Sequence, residues 1–370
     1  MKKIILVSGH LFESKRRAGF HLIAESLGKM GHEVIFITAP YSKLFKLKKH
    51  YFNELQVKKC QLVPQGNNIS SYVHATPFHI ANLRKNALNK MSAKLYGVYQ
   101  KFSIAKELEQ KVAQGDIIIF ESTPGLFLMD KFKKINPNAK YVYRVSDDLE
   151  LLGVHPSLIN YEEEVLSKFS LISVPSQYIY DKILGKLAQG KENLKLQYHG
   201  IKKALYDAEH DNPYQKGTVN AVFIGVSRFD YSFLEKASVL RNDILFHIIG
   251  PIEPKVKGDN IIYYGEMPFE DTVPYVKHAD IGMHTLSYSE GAESFSDSLK
   301  VHQYTYCGLP IVAPTFLETK RKNSFYYSPE FPESIEKALG QCIAYNTNRL
   351  DLKSEVLSWE QLVNEILKEI

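Results

Sequence analysis

The sequence predicts an α/β protein made of two doubly wound domains in series. Three observations carry this. Short continuous runs of Ile and Val alternate with segments of helical period, the pattern of parallel strands buried on both faces. The alternation breaks once, in the polar stretch Asp207–Val219 with its Pro213 and Gly217, and then resumes. The 370 residues are too many for one ordinary domain and suit two.

The elements follow in order. Ile4–Val7 reads as a buried strand, Ala18–Met30 as a helix stopped by Gly31, and Val34–Thr38 as the next strand. That unit implies a parallel pair with a right-handed crossover. Further strands are expected at Cys60–Val63, Tyr72–Ala75, Ile117–Phe120, Tyr141–Val145 and Leu171–Val174. After the break come strands at Ala221–Val226, Ile244–Ile249, Ile261–Tyr264, Ile281–His284 and Pro310–Ala313. Helices are expected near Ser232–Leu240, Pro268–His278, Ser298–Cys307 and Pro332–Ala344. Ser358–Ile370 carries Trp359, Leu362, Ile366 and Ile370 at helical spacing. Two such domains leave a cleft, and ligands of open α/β sheets bind beyond the carboxyl ends of the strands.

Composition narrows the class. Apolar residues at 44% and charged residues at 24% exclude a disordered chain. The cysteines Cys60, Cys307 and Cys342 are far apart and odd in number, which points to a reducing cytosol. The first apolar run is too short for a signal peptide, and no stretch is long enough to span a membrane. The net charge of +5 is unevenly spread. Residues 41–111 hold 13 Lys or Arg against three acids, and the remainder is net acidic. Such a segment calls for an anionic partner.

Four constellations follow strands. In Tyr141–Glu150, the strand ends at Asp147 and Asp148. Asp147 can be a general base toward a hydroxyl, or a helix cap with Glu150 three residues on. In Tyr263–Met267, Glu266 can bond ribose hydroxyls or be a solvated turn carboxylate. In Ser296–Pro310, a helix is expected to start near Asp297 and stop at Gly308. Its free amides suit a diphosphate, with Lys300 in the first turn and Gln303 one turn on. A Lys there opposes the helix dipole unless an anion is bound, and a solvated Lys is the other reading. In Gly225–Asp230, Ser227 and Arg228 can meet a phosphate or a sugar carboxylate. The loop Gly9–Arg17 is expected at the same cleft, and a plain solvated loop is the other reading of both. No GxGxxG, P-loop, HExxH, paired CxxC, GxSxG or Asp-x-Asp occurs. A leaving diphosphate would then be met by helix amides, Lys and Arg, with no metal and no cofactor.

Taken together, the pattern resembles the GT-B glycosyltransferases. His199-Gly-Ile201 is similar to the element before their second domain, and Cys307-Gly-Leu-Pro-Ile-Val-Ala313 to the one near their donor site. Within that class it resembles the xanthan-type glucuronosyltransferases of the GumK family. The carrying residues are Tyr143–Asp147, Tyr264–Met267, Tyr275–Ala279, Ser298–Tyr304 and Gly308–Pro310. The resemblance implies a GT-B fold with the C-terminal helix returning to the N-terminal domain. It implies an acceptor domain over residues 1–207, a donor domain over 208–345 and a crossover helix over 346–370. It implies inverting, metal-independent transfer of glucuronate from UDP-glucuronate to a polyprenyl-diphosphate-linked oligosaccharide at the cytosolic membrane face. Asp147 is then the catalytic base, and Glu266, Lys300 and Gln303 contact UDP. Leu299 stands where the family has methionine, Ser227 likewise, and Tyr288 is the candidate for a tyrosine contact in a loop that differs. Gln303 occupies the position of a glutamate usual in retaining enzymes, which points away from retention.

A sugar-nucleotide epimerase and a non-catalytic assembly protein of the same architecture are the competing classes. Nucleic acid is not expected as a partner, for no recognition motif is present. The basic segment is read as facing an anionic membrane. Lys43, Lys46, Lys48 and Lys49 interleave with Leu44, Phe45, Leu47, Tyr51 and Phe52, and Arg84, Lys85, Lys90 and Lys94 follow on a helix.

Overall fold

A computed structural model describes residues 1–14, 17–42, 58–79, 81–187, 191–226, 228–347 and 349–370. The interleaved run Lys43–Phe52 and Ser227 lie outside the described residues. The chain forms two compact units, residues 1–197 with 359–370, and residues 198–358.

The first unit holds strands β1 (Lys3–Ser8), β2 (Glu33–Ser42), β3 (Leu62–Gly66), β4 (Ile69–Thr76), β5 (Ile117–Glu121), β6 (Lys140–Arg144), β7 (Leu171–Val174) and β8 (Leu194–Leu196). Its helices are α1 (Gly19–Lys29), α2 (Asn86–Ala93), α3 (Tyr96–Tyr99), α4 (Lys106–Ala113), α5 (Met129–Ile135), α6 (Pro156–Val165) and α7 (Gln177–Lys186). The sheet order is β3-β4-β2-β1-β5-β6-β7-β8. All neighbours are parallel except β3 and β4. The expected strand at Cys60–Val63 is therefore an antiparallel edge that starts at Leu62. The cause is a tight turn whose residues Asn67 and Asn68 adopt positive φ, the conformation of a two-residue hairpin. Strand order reverses between β1 and β5, the place where doubly wound sheets bind ligands.

The second unit contains β9 (Gly200–Ile201), α8 (Lys203–Asp207), β10 (Val219–Ile224), α9 (Tyr231–Leu240), β11 (Ile244–Ile249), β12 (Ile261–Gly265), α10 (Phe269–His278), β13 (Ile281–Met283), α11 (Leu299–Tyr306), β14 (Ile311–Pro314), β15 (Ser324–Tyr327), α12 (Pro332–Asn346) and β16 (Leu357–Ser358). Its main sheet runs β12-β11-β10-β13-β14-β15, all parallel. β15 escaped the sequence reading because Ser-Phe-Tyr-Tyr is a short aromatic edge strand without an Ile/Val run.

The domain boundaries differ from those read from sequence. The first unit ends at Gln197 and not at 207, because β9 pairs with β16 and Ile201 and Tyr206 are buried in the second unit's core. The polar break Asp207–Val219 lies inside that unit, anchored by buried Tyr214, whose hydroxyl donates to the Tyr275 carbonyl at 2.8 Å. The stretch from 346 divides: β16 stays with the second unit and α13 (Trp359–Lys368) joins the first. There Trp359 lies against α1, 3.3 Å from where a Cβ on Gly19 would stand, so a larger residue at 19 would displace the ring.

Candidate active site

Asp147 sits in the turn after β6, at the carboxyl edge of the first sheet. The preceding strand is held rigidly. Arg144 is fully buried, and one of its guanidinium nitrogens donates to the Ser173 hydroxyl at 2.8 Å and the Gln197 carbonyl at 2.7 Å. The turn is then fixed by the ends of β1 and β5. The Ser122 hydroxyl accepts from the backbone N–H groups of Ser146 and Asp147, both at 3.0 Å. The Ser146 hydroxyl donates to buried Glu121 at 3.0 Å. The other Glu121 oxygen accepts from the Ser8 hydroxyl at 2.5 Å and from the Gly9 N–H at 3.2 Å. His10 approaches Glu121 to 3.8 Å.

Asp147 is not a helix cap, and the local turn bond is made by its neighbour. Asp148 is buried, accepts from the Glu150 N–H at 3.0 Å and pairs with Lys182 at 2.7 Å. No helix starts there. Asp147 keeps solvent-exposed surface, yet its carboxyl is raised above the ordinary aspartate value. Desolvation is the largest cause, then the Glu121 charge; His10 opposes and Asp148 adds to it. A carboxylate so raised accepts a proton more readily than one in water.

In the second unit, three adjacent strands end on glycines at the carboxyl edge: Gly225 after β10, Gly250 after β11 and Gly265 closing β12. Gly250 has φ 137°, and a Cβ there would lie 1.8 Å from the Gly225 carbonyl oxygen. Only glycine lets the Gly225 and Gly250 backbones pack this closely at the strand ends. Glu266 follows on the exposed rim. Arg228 has φ 57° and donates to the Ser289 hydroxyl, with its guanidinium 5.2 Å from the Phe295 ring centre. The Ser287 N–H donates to the Arg228 carbonyl at 2.8 Å, which staples the two loops together. Between them Tyr288 is 66% exposed, its ring edge-on to Phe316.

The helix expected from Asp297 begins at Leu299, with Ser298 as N-cap. Asp297 is drawn off by Arg321, to which it bonds at 2.6 Å. The Ser298 hydroxyl makes no capping bond, and its buried oxygen has no partner. The first amides of α11 are thus open to an anion. The helix is seated on the sheet by Tyr304. Its ring lies over Gly282, 2.5 Å from a notional Cβ there, and its hydroxyl donates to the Val222 carbonyl at 3.1 Å. Gly308, at φ 68°, ends the helix as expected.

Lys300 extends from the first turn to the end of β10. Its ammonium is 4.1 Å from the Phe223 ring centre and 3.2 Å from a notional Cβ on Gly225. Among the described residues no carboxylate lies within ion-pair distance of it. The residue is half-buried by surface area, but the ammonium end is desolvated, and burial brings it down to about 7. Gln303 is buried one turn on, and half-buried Leu299 packs on the core beside it.

The second unit thus gathers Arg228, Glu266, Tyr288, Leu299, Lys300 and Gln303 along the β12-β11-β10-β13 edge, and Asp147 belongs to the first unit. Sequence reasoning missed the support around Asp147, namely Glu121, Ser8, Ser122 and Ser146, and placed His10 only as part of the loop Gly9–Arg17. The available signal was a carboxylate closing the apolar run Ile117–Phe120, where a buried strand offers it no water.

Solved structures share this fold over the full chain. Sucrose-phosphate synthase from Thermosynechococcus elongatus superposes with TM-score 0.70 at 12% identity, covering 100% of this chain and 98% of that one. Anabaena HepE in complex with UDP and glucose gives TM-score 0.64 at 14% identity, covering 100% and 99%. The fold is that of the GT-B glycosyltransferases, as the alternating pattern and the motifs implied. Residues 6–175 match the family described as glucuronosyltransferase GumK, N-terminal domain. The UDP-glucuronate:glycolipid 2-beta-glucuronosyltransferase of Xanthomonas campestris pv. campestris is 28% identical over 366 residues, 98% of this chain and 88% of that protein. The chain is a glycosyltransferase that resembles the xanthan-type glucuronosyltransferase.

Proposed function

We propose that the chain transfers glucuronate from UDP-glucuronate, with inversion and without a metal ion, to a polyprenyl-diphosphate-linked oligosaccharide in exopolysaccharide or capsule synthesis. The observation that carries the reading is the likeness over nearly the whole chain to a protein named for that donor and a glycolipid acceptor. The geometry agrees with it. Lys300 and the open amides of α11 would take the diphosphate, and Glu266 the ribose. Leu299, Gln303 and Tyr288 would complete the nucleotide pocket, and Arg228 would meet the sugar carboxylate. Asp147 would take the proton of the acceptor hydroxyl as its oxygen bonds to the sugar C1 and the C1–diphosphate bond breaks. The negative charge left on UDP would be met by Lys300 and the helix amides.

A thermal-shift panel tests the donor. UDP-glucuronate and UDP raise the melting temperature, and GDP- and dTDP-sugars do not. Stabilisation by a GDP-sugar without any by UDP overturns the assignment. Undiminished transfer in EDTA is expected, and a β-linked product from the α-linked donor would establish inversion.

The reading includes peripheral attachment to the inner face of the membrane. No helix among the described residues is long and apolar enough to cross one. Helix α2 instead has its amphipathic faces reversed. Its polar side holds it to the protein: Asn89 bonds the Leu83 N–H at 2.9 Å and the Asn82 side chain at 2.9 Å, and Asn82 bonds the Gly153 carbonyl at 3.0 Å. Leu83, Leu88, Met91, Leu95 and Val98 are left exposed, with Arg84, Lys85, Lys90 and Lys94 among them. Apolar groups that insert and cations that attract are what an anionic lipid surface requires. In liposome flotation the protein should bind anionic vesicles, lose binding in high salt, and lose it in Leu88→Ser/Met91→Ser/Leu95→Ser. Equal binding to neutral and anionic vesicles would refute the electrostatic part.

A further inference from the structure

Glu121 has no place in the transfer steps above, yet it is the most heavily bonded carboxylate of the first unit's carboxyl edge. It is 3% exposed, lies where strand order reverses, and joins three chain segments. Ser8 and Gly9 come from the end of β1, and Ser146 from the turn that carries Asp147. Among the described residues neither Lys nor Arg pairs with it; the basic group that faces it is His10, at 3.8 Å, with a side chain 49% exposed.

We propose that Glu121 is the positioning residue of the proton acceptor: it fixes the Asp147 turn through the Ser146 hydroxyl and acts on Asp147 through its charge, with His10 as the counter-charge. This rests on the reading of Asp147 as base. A neutral side chain would satisfy Ser8 and Ser146 as well, so hydrogen bonding alone does not explain a buried carboxylate. Its charge makes sense near a second carboxylate that has to bind a proton, because a like charge disfavours ionisation of Asp147. The same two interactions appear in the Asp147 carboxyl, raised by Glu121 and lowered by His10.

Asp148, on the same turn, is held by Lys182 of α7. His21 of α1 lies with its ring 5.7 Å from that of His10. Burial brings it down to about 4, so it is neutral at working pH. Thr38 of β2 donates to the His10 carbonyl at 2.7 Å and carries no charge.

The test is the titration of the Asp147 carboxyl carbon by NMR in the full chain, assigned with Asp147→Asn. Glu121→Gln should move the midpoint down by about one pH unit, and His10→Gln should move it up. Ser146→Ala should leave the midpoint in place and lower kcat for the transfer without changing the KM for UDP-glucuronate. Midpoints that stay within about 0.2 of wild type in both charge variants would overturn the proposal, and His10→Gln alone decides it if Glu121→Gln does not fold. The titration does not depend on turnover. A wild-type transfer rate in Asp147→Asn would instead remove Asp147 as base while leaving the opposite shifts intact.

Discussion

Asp147→Asn lowers transfer by about 100- to 10,000-fold, the usual contribution of a positioned general base. The amide keeps the shape of the carboxylate and cannot take the acceptor proton. Donor affinity stays within about twofold, since the residues assigned to UDP belong to the other unit. The pH dependence gives a second check. A base acts when deprotonated, and this carboxyl is raised by desolvation and by Glu121. Wild-type kcat therefore falls as pH drops through that raised value, and the residual activity of the variant lacks this limb. A carboxyl raised on folding is ionised at a cost above its folded value, so Asn should leave the melting temperature at pH 7 equal or higher. A lost transfer rate with retained donor binding and an intact melting curve is the expected set. Wild-type-like turnover would remove Asp147 from the mechanism.

Lys300→Met weakens UDP-glucuronate binding by about 10- to 100-fold, the scale of a charge-assisted hydrogen bond lost. The pH dependence of this binding is the sharper observation. With the ammonium brought down to about 7 by burial, the free protein is part neutral at physiological pH. A bound diphosphate favours the charged form, so binding takes up a proton above pH 7. Affinity should then fall with rising pH by up to about tenfold per unit, until the bound form itself deprotonates. The diphosphate of a UDP-sugar has no ionisation in this range, so the proton belongs to the protein. Calorimetry in buffers of different ionisation enthalpy measures it, and in Lys300→Met the uptake disappears. The stability sign is opposite to the binding sign. A lysine lowered on folding costs stability most below its folded value, and the cost is relieved as pH rises toward the unfolded value. Lys300→Met should thus raise the melting temperature of the donor-free protein at pH 7. Unchanged affinity and no proton uptake in the wild type would refute the role.

Strands written as Ile/Val runs were legible, and so was the helix that ends at Gly308, because period and breaker residues act over a few positions. β15 and the antiparallel β3 were not, the first for want of an Ile/Val run and the second because its direction is set by the positive-φ turn Asn67-Asn68. Around the site, the types and order of Asp147, Glu266, Lys300 and Gln303 were readable. The resemblance put the base on Asp147; what the string does not show is that its neighbour Asp148 is claimed by Lys182, 34 positions away. The start of α11 shifted from Asp297 for the same reason, since Arg321 engages that carboxylate and leaves Ser298 at the cap.

Local chemistry therefore settled the two doubly wound units, their connecting order and the kinds of side chain at the strand ends. Folding settled what those side chains can do. Ser8 and Glu121 are 113 positions apart and share a hydrogen bond that helps to hold the turn of Asp147. Lys300 loses its water to Phe223, from a strand far back in the chain. Hydrophobic period is a property of neighbours along the chain, whereas desolvation and charge pairing depend on atoms that meet through space.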